Sequence, residues 1–343
     1  MVLRRPPAVA RVLERVTATV REREMFHRGE LVLLCVSGGP DSVCMVESLV
    51  RLRRLLGVRL EVFHFDHRLR AGSGADSSYV RRLAARHHLR FHLRVAGDSP
   101  RGGESVEAWA TARRTDAANE VRREIGSPVM AEGHTLDDQA ETVLLNLLRG
   151  TGLDGLAGIW PGSGERPGSA LAQPLLDVTR AEVDALCRSL GLRPRRDPMN
   201  DDPRYLRAAL RNEAIPALER VTGREIRATI ARTAAVLHHD RLELMRQALE
   251  REASIVERDG DQVRFRAADL VELPASLAAR IVRIGLWNLA AVDDIGAPWT
   301  RDSVDAVLDL AAGRPGRRRD LPGARTARRD RVYVHVSSPA ATS

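Results

Sequence analysis

The strongest constraint on the fold is an alternation of short β-rich runs with helix-like segments between residues 31 and 132. Dense runs of Val, Leu and Phe predict buried strands, and apolar residues at a spacing of 3.6 predict helices. Strands that alternate with helices are typical of βαβ units, so the sequence predicts an α/β fold with a doubly wound parallel sheet. The predicted strands are 31–36, 60–65, 91–95 and 128–131, and the predicted helices between them are 43–56, 79–88 and 106–125.

The rest of the chain predicts a helical extension and a smaller second domain. A Gly- and Pro-rich stretch over 150–168 predicts a loop near the active site, and short strand-like runs after residue 253 are typical of a small α+β domain. The predicted helices of this part are 137–149, 179–190, 206–218 and 226–250. The predicted organisation is a catalytic domain over 1–222, a linking helix over 223–252 and a C-terminal domain over 253–343.

The first predicted strand runs directly into Ser37-Gly38-Gly39-Pro40-Asp41-Ser42 and then into a helix. Two glycines after a buried strand let the backbone turn sharply and bring its N–H groups close to an anion, which the helix N-terminus also attracts. Proline suits the first turn of a helix, and the two serines can supply hydroxyl donors. The pattern therefore predicts a loop that binds pyrophosphate.

Asp41 is the unusual member of this loop, because a carboxylate beside a phosphate is repelled unless a cation lies between them. Mg²⁺ commonly joins one or two carboxylates to phosphate oxygens, so Asp41 predicts a Mg²⁺ ligand. The competing interpretation is that Asp41 only stabilises the helix dipole. The chain contains no lysine, which excludes a Walker A loop, a lysine–adenylate ligase and Schiff-base enzymes.

Two further polar clusters follow predicted strands, at the sheet edge where doubly wound folds bind their ligands. In the first, His64 and His67 flank Asp66; the second is the run GHTLDDQAET over 133–142. The second run predicts a capping box at Thr135 and Asp138, followed by an apolar stripe. That predicted buried stripe consists of Ala140, Val143, Leu144, Leu147 and Leu148.

Two pairs of charged residues, one on the helix that begins within the second cluster and one on a later helix, point to a charged ligand. Asp137 and Glu141 lie one helical turn apart, so they predict a shared site for a metal or an ammonium group; a solvated acidic helix start is the alternative. Arg207 and Arg211 have the same spacing on a later helix and predict a clamp for phosphate or RNA.

These stretches resemble motifs of a known superfamily. Residues 37–42 are similar to the pyrophosphate loop of the N-type ATP pyrophosphatases, which split ATP between its α- and β-phosphates and transfer AMP. The segments over 64–70 and 133–142, and Asp197-Pro198-Met199-Asn200-Asp201 with Tyr205, resemble in the same order those of the tRNA(Ile)-lysidine synthetase family. The resemblance covers roughly residues 30–220.

The resemblance implies a ligase that adenylates the wobble cytidine of the CAU anticodon of tRNA(Ile) and then attaches free L-lysine, with ATP and Mg²⁺. The implied catalytic residues are Asp41, Asp137, Glu141 and Arg207. The implied ATP-binding residues are Ser37, Gly38, Gly39, Pro40, Asp41, Ser42, His64 and His134, and the metal ligands are Asp41 and Asp138. Arg114 and Arg211 are implied to contact tRNA, and Glu107 also matches the family pattern. The chain departs from that pattern at Thr111, Thr115, Ala208 and Ala209.

A net charge of +8 favours a polyanionic partner, although all the basic side chains other than histidine are arginines, which is also what a biased genome composition gives. Arginines cluster between residues 314 and 331. We expect Arg317, Arg318 and Arg319 to contact tRNA phosphates, and a solvated face is the alternative.

The remaining features narrow the class of protein. No apolar run approaches the roughly 18 residues that span a bilayer, so we expect a cytoplasmic protein without a membrane partner. Cys35, Cys44 and Cys187 form no CxxC pair, which disfavours a tRNA thiolase of the same superfamily. A non-catalytic nucleotide-binding module is the other alternative, opposed by the retained carboxylates. The oligomeric state is left open, with a homodimer as one expectation.

Overall fold

The computed structural model describes residues 6–69, 72–100, 103, 105–162, 170–195, 206–287, 289 and 299–337, without the side chain of Glu107. The chain divides into two compact units, residues 1–238 and 239–343. This division falls within a long helix, Ile226–Ile255. The predicted domain boundaries at 222/223 and 252/253 stay a prediction.

A five-stranded sheet organises the first unit, with the order β3-β2-β1-β4-β5 and every neighbouring pair parallel. The predicted doubly wound α/β fold is therefore confirmed. The strands are β1 Leu31–Cys35, β2 Arg59–Asp66, β3 Arg90–Val95, β4 Val129–Ala131 and β5 Leu171–Ala172. The helices are α1 Pro7–Glu22, α2 Pro40–Leu56, α3 Ser73–Arg86, α4 Val106–Glu124, α5 Leu136–Leu148, α6 Leu153–Leu156, α7 Arg180–Ser189, α8 Leu206–Ala209, α9 Ile215–Thr222 and α10 Ile226–Ile255.

The central strand β1 is buried on both faces, as its run of apolar residues predicts. Val32 and Leu34 pack against helices α1, α2, α3 and α7 on one face of the sheet. Leu33 points the other way and packs with Phe63 against helix α4. Helices on both faces leave the edge at the carboxyl ends of the strands as the place where polar groups gather.

The strand order reverses between β1 and β4, because β2 and β3 lie on one side of β1 and β4 lies on the other. In doubly wound sheets, the crevice at such a reversal is where ligands bind. The glycine-rich loop follows β1, and the turn with Gly133 and His134 follows β4. A Cβ atom built on Gly133 would lie 3.1 Å from the carbonyl carbon and oxygen of Asp41, so the two segments touch.

Three expectations for the helices of this unit need correction. The apolar stripe of α5 is buried at Ala140 and Val143, but Leu147 and Leu148 are 55% and 64% exposed. The predicted loop over 150–168 contains the single helical turn α6, and its residues 163–169 lie outside the described residues. The predicted helix 206–218 is interrupted by a π-helical turn, Leu210–Ala214, between α8 and α9.

The second unit is a small α+β domain, as predicted. Its antiparallel sheet has the order β6-β7-β10-β9-β8, and its core contains buried side chains from the strands and from four helices, one of which is the end of α10. The strands are β6 Val256–Asp259, β7 Gln262–Arg266, β8 Arg318–Leu321, β9 Arg325–Arg329 and β10 Tyr333–Ser337. The helices are α11 Ala267–Glu272, α12 Ala275–Trp287 and α13 Arg301–Ala312.

The arginine-rich segment 314–331 forms two of these strands, and two of its arginines are buried. Alternate residues of β9 face inward, so Arg325 and Arg329 are buried on either side of Ala327. The Arg325 guanidinium lies 5.0 Å from the centre of the Trp299 ring, a cation–π contact that suits a buried arginine.

Among the described residues, no helix combines the length and apolar character that crossing a bilayer requires.

We expect Gly133→Ala to lower the free energy of unfolding by about 1–3 kcal/mol, as overpacking does in a tight contact. The added Cβ would lie 3.1 Å from backbone atoms of Asp41 and 3.2 Å from the Ser42 nitrogen, which cannot rotate away. Gly97→Ala is the matched control, because a Cβ there would meet nothing within 4 Å. Urea denaturation measures both variants; equal stability of the two would contradict the contact.

Candidate active site

The loop after β1 is shaped by its own glycine and serines. Gly38 has φ of +93°, a left-handed conformation, and a Cβ there would lie 3.3 Å from Val80. The Ser42 hydroxyl accepts a hydrogen bond from the Gly38 nitrogen at 3.1 Å and donates to the Gly39 carbonyl at 3.0 Å. The Ser37 hydroxyl accepts from the Gly39 nitrogen at 3.3 Å. Both serines predicted as phosphate donors thus brace the loop in this structure.

Asp41 stands in the first turn of α2, directly after Gly39 and Pro40. Its Oδ2 lies 3.0 Å from Nη1 of Arg180. Its Oδ1 is buried and accepts no hydrogen bond from any residue that the structure describes. Burial raises the pKa of Asp41 to about 7, a change that the nearby charge of Arg180 opposes and that of Asp138 reinforces.

The unpartnered Oδ1 of Asp41 fits a Mg²⁺ ion, since this ion prefers carboxylate oxygen and takes further ligands from phosphate and water. The described residues contain no group of three or more His, Cys, Asp and Glu side chains that could hold a metal on their own. A single carboxylate that shares the ion with a phosphate is the arrangement that the loop can offer.

The predicted capping box at the start of α5 is confirmed. Asp138 Oδ2 accepts hydrogen bonds from the Thr135 nitrogen at 2.9 Å and from the Thr135 hydroxyl at 2.7 Å. Its Oδ1 lies 3.7 Å from the Nη2 atoms of Arg207 and Arg211. Burial opposes ionisation of Asp138, but the His134, Thr135 and Arg207 groups outweigh it and lower the pKa. Asp138 is therefore an ionised helix cap, with one oxygen turned toward the arginines.

Glu141 is fully buried and is held by the two arginines that were expected to clamp phosphate. Arg211 binds it through both carboxylate oxygens, with Nε 2.6 Å from Oε1 and Nη2 2.8 Å from Oε2. Arg207 adds a contact from Nε to Oε2 at 3.1 Å. Arg211 belongs to the π-helical turn, a feature that often marks functional segments. The hydrogen bonds to Glu141 raise the pKa of Arg211 above its usual value.

Asp137 has different partners from Glu141, although the two are one turn apart. Its Oδ2 accepts a hydrogen bond from the Arg180 backbone nitrogen at 2.8 Å, and its Oδ1 lies 3.2 Å from Nε of Arg227. Arg227 also contacts Glu219 at 2.8 Å and donates to the Arg211 carbonyl at 3.0 Å. Acidic and basic residues therefore form a connected series in the first unit, in the order Asp41, Arg180, Asp137, Arg227 and Glu219.

The two histidines implied to bind ATP lie at the same sheet edge. His64 is buried and shares a hydrogen bond of 2.7 Å between its Nδ1 and the Val36 carbonyl, and burial lowers its pKa. His134 is half-buried, with Nδ1 3.0 Å from the Gln173 side-chain oxygen. His64 thus ties the end of β2 to the start of the glycine-rich loop. The ATP contacts of both residues stay predictions.

Sequence reasoning did not identify two arginines of the site or the backbone segment that crosses the glycine-rich loop. Arg180 and Arg227 carried no signal of their own, because their partners are distant in the sequence. The segment before the undescribed residues 196–205 crosses the loop: the Arg195 nitrogen donates to the Gly38 carbonyl at 2.9 Å, and its side chain contacts Asp76 at 2.8 Å. Only the Thr179–Glu182 capping box, which starts α7 and so places Arg180, was readable locally.

Other residues that were predicted to have a function lie away from these ion pairs, or among the residues that the structure does not describe. Arg114 is exposed on α4. Arg317, Arg318 and Arg319 are exposed in the second unit, where Arg318 contacts Asp320 at 3.1 Å. Residues 197–201, Tyr205 and Arg70 lie outside the described residues.

The three cysteines are free thiols within the first unit. Burial raises the pKa of Cys35 and Cys44 far above the ordinary value, and it raises the pKa of Cys187 to about 12. The thiolate is the reactive form of cysteine, so thiols in these surroundings are poor nucleophiles and poor redox groups at neutral pH.

Comparisons with known proteins show the family of the chain and its fold. A family model described as a PP-loop domain matches residues 10–218. A tRNA(Ile)-lysidine synthase of Symbiobacterium thermophilum is 38% identical over 81% of this chain and 60% of its own length. One of Thermobifida fusca is 35% identical over 97% of this chain and 98% of its own length. The chain thus spans three fifths of the first relative and nearly all of the second.

A solved structure supports the fold alone. The U34-tRNA thiolase NcsA from Methanococcus maripaludis, solved with its [4Fe-4S] cluster, superposes with a TM-score of 0.57 at 18% identity. The match covers 68% of this chain and 79% of that one.

We expect Asp41→Asn to gain stability relative to the parent protein as the pH rises. The pKa of Asp41 is about 7 in the fold against an ordinary 3.8, so the folded protein binds more protons between those values. The stability that this proton contributes is fully present below about pH 4 and is lost as the pH rises through about 7. Asparagine avoids that loss, which amounts to up to about 4 kcal/mol.

Urea denaturation at pH 5 and pH 8 measures this effect as the stability difference between Asp41→Asn and the parent at each pH. The exposed Glu22→Gln removes the same charge from the surface of α1 and is the control. A difference for Asp41→Asn that does not grow between the two pH values would contradict the raised pKa.

Proposed function

The chain belongs to the tRNA(Ile)-lysidine synthase family, and we propose that it joins free L-lysine to the wobble cytidine of the CAU anticodon of tRNA(Ile), with ATP as the activating substrate. One observation carries the proposal. The glycine-rich loop and the start of α5 meet at the point where the strand order reverses, so Asp41, Asp137 and Asp138 lie at one sheet edge. Phosphates and a positively charged substrate can meet at such an edge.

In the first proposed step, the ring carbonyl oxygen of the cytidine attacks the α-phosphorus of ATP. A bond between oxygen and phosphorus forms, the bond to the β-phosphate breaks, and pyrophosphate leaves. The N-terminus of α2 and the loop around Gly38 hold the phosphates, and His64 and His134 border the nucleotide. Mg²⁺ bound to Asp41, with Asp138 as a second candidate ligand, would neutralise the charge of the leaving group.

In the second proposed step, the lysine amine attacks the ring carbon that carries the adenylate. The carbon–oxygen bond breaks, AMP leaves with the bonding electron pair, the attacking nitrogen releases one proton to solvent, and lysidine remains. Asp137 suits the amine better than Glu141, because its side chain is 18% exposed whereas that of Glu141 is completely buried behind two arginines. Glu141 instead fixes Arg207 and Arg211, and the half-exposed Arg207 is placed to stabilise negative charge during the transfer.

The tRNA must present its wobble base outside the anticodon stack, as other base-modifying enzymes require. We propose that Arg114 and Arg211 contact the RNA near the site and that Arg317, Arg318 and Arg319 contact phosphates farther along it. We propose a cytoplasmic location, since a reaction on tRNA with ATP needs both substrates, and a homodimer stays a prediction. A thiolase reaction is not favoured, because all three thiols have a raised pKa.

The proposed reaction is tested by incubating the protein with tRNA(Ile) transcript, ATP, Mg²⁺ and labelled lysine, and by measuring label in the RNA together with AMP release. We expect lysine-dependent labelling without iron, sulfide or reductant, and we expect substitution of all three cysteines by serine to preserve it in a folded protein. A transcript with cytidine 34 replaced by uridine is the control for the base. Loss of labelling in the folded triple variant, or no labelling in the parent, would contradict the proposal.

The proposed tail contacts predict that replacing Arg317, Arg318 and Arg319 with Gln weakens tRNA binding while ATP binding is unchanged. The slope of log affinity against log salt should fall by about 0.7–0.9 for each lost phosphate contact. Arg301→Gln, a change at an exposed arginine of the same unit, is the control. A tRNA affinity and salt slope equal to those of the parent protein would leave these arginines as a solvated face.

A further inference from the structure

Arg180 occupies a position that joins the loop carboxylate to the start of α5. It is the first residue of α7, whose start is fixed by the capping box of Thr179 and Glu182. Its backbone nitrogen donates to Asp137 at 2.8 Å, and its Nη1 lies 3.0 Å from Oδ2 of Asp41. Backbone and side chain of one residue therefore contact two of the carboxylates that the proposed reaction uses, Asp41 and Asp137.

An arginine is an unfavourable choice for the first turn of a helix, because the partial positive charge of the helix N-terminus repels cations. The Arg180 side chain is 32% exposed, so helix stability and core packing do not require it. The contact with Asp41 uses only part of the hydrogen-bonding capacity of the Arg180 guanidinium, since a guanidinium has five N–H donors. The same side chain can hold Asp41 and a second anion at once.

Two other arginines of the network are more fully occupied by carboxylates. Arg211 is bidentate to the buried Glu141, and Arg227 is shared between Asp137 and Glu219. Arg180 is the arginine in contact with the carboxylate of the glycine-rich loop, where the first turn of α2 attracts an anion. A phosphate seated at that turn adjoins Asp41 and therefore the guanidinium that Asp41 holds.

We propose that Arg180 binds the β- and γ-phosphates of the nucleotide while it keeps its contact with Asp41. The proposal rests on the proposed function, because it assumes that the glycine-rich loop binds a triphosphate. Arg180 then has two roles at one site: it offsets the charge of Asp41 before the substrate arrives, and it neutralises the pyrophosphate that leaves.

The test is the affinity of the full-length protein for inorganic pyrophosphate and for adenosine, measured by isothermal titration calorimetry in the presence of Mg²⁺. We expect Arg180→Gln to weaken pyrophosphate binding about 10- to 100-fold, as the loss of one or two charge-assisted hydrogen bonds does. Adenosine affinity should stay unchanged, and Arg180→Lys should recover part of the loss. Arg188→Gln, an exposed charge change in the last turn of the same helix, should match the parent.

A double variant separates a phosphate contact from an effect through Asp41. If Arg180 binds phosphate, Arg180→Gln weakens pyrophosphate binding in an Asp41→Asn background as well. If its only role is to offset Asp41, the effect disappears in that background, and the proposal is overturned. Thermal unfolding checks that each variant folds, and Arg180→Met, which keeps the apolar stem, replaces Arg180→Gln if the latter does not.

The remaining outcomes distinguish this inference from the proposed function. A parent protein that binds pyrophosphate and responds to Arg180→Gln, but attaches no lysine to tRNA, supports the phosphate contact and contradicts the reaction. A parent protein that labels tRNA while Arg180→Gln binds pyrophosphate equally well keeps the reaction and overturns the contact. Failure of the parent protein to bind pyrophosphate or ATP would overturn both.

Discussion

The close contact between the turn after β4 and the first turn of α2 is the constraint on which the candidate site depends. Gly133 leaves no room for a side chain against the Asp41 backbone. Because of this contact, the loop that follows β1 and the helix that follows β4 open onto the same crevice. The buried strands β1 and β4 pair in parallel, and this pairing fixes where the two segments begin.

The electrostatics of the site follow from burial. Carboxylates taken out of water need positive partners, since an isolated buried charge is far more costly than a paired one. Glu141 is completely buried and takes two arginines, and Asp137 takes one guanidinium and one backbone N–H. Asp41 is the exception, with one oxygen paired and the other without a partner. The carboxylate that the described residues leave least satisfied is Asp41 in the glycine-rich loop, which is the reason that a cation is proposed there.

The arginine-only composition has different consequences in the two units. In the first, arginines balance buried carboxylates, and their planar guanidinium groups allow the bidentate geometry seen between Arg211 and Glu141. In the second, strand alternation sorts them by face, so that Arg325 and Arg329 are buried while Arg328 is exposed. A cluster of arginines in the sequence therefore gives no direct count of the charges available to RNA, because the period of the strand decides which of them reach solvent.

The sequence by itself determined the parallel sheet, the loop over 37–42, the capping box of Thr135 and Asp138 and the family, because these depend on local periodicity and short-range spacing. It also placed Asp41, Asp137 and Glu141 near one sheet edge, since each follows a strand end or begins the next helix. Only the tertiary structure decided their partners. Arg180 and Arg227 lie 139 and 90 residues from Asp41 and Asp137 along the chain, and no local pattern encodes such pairs. The π-helical turn that aims Arg211 at Glu141 likewise arises from packing between segments, which a spacing of four residues alone could not foretell.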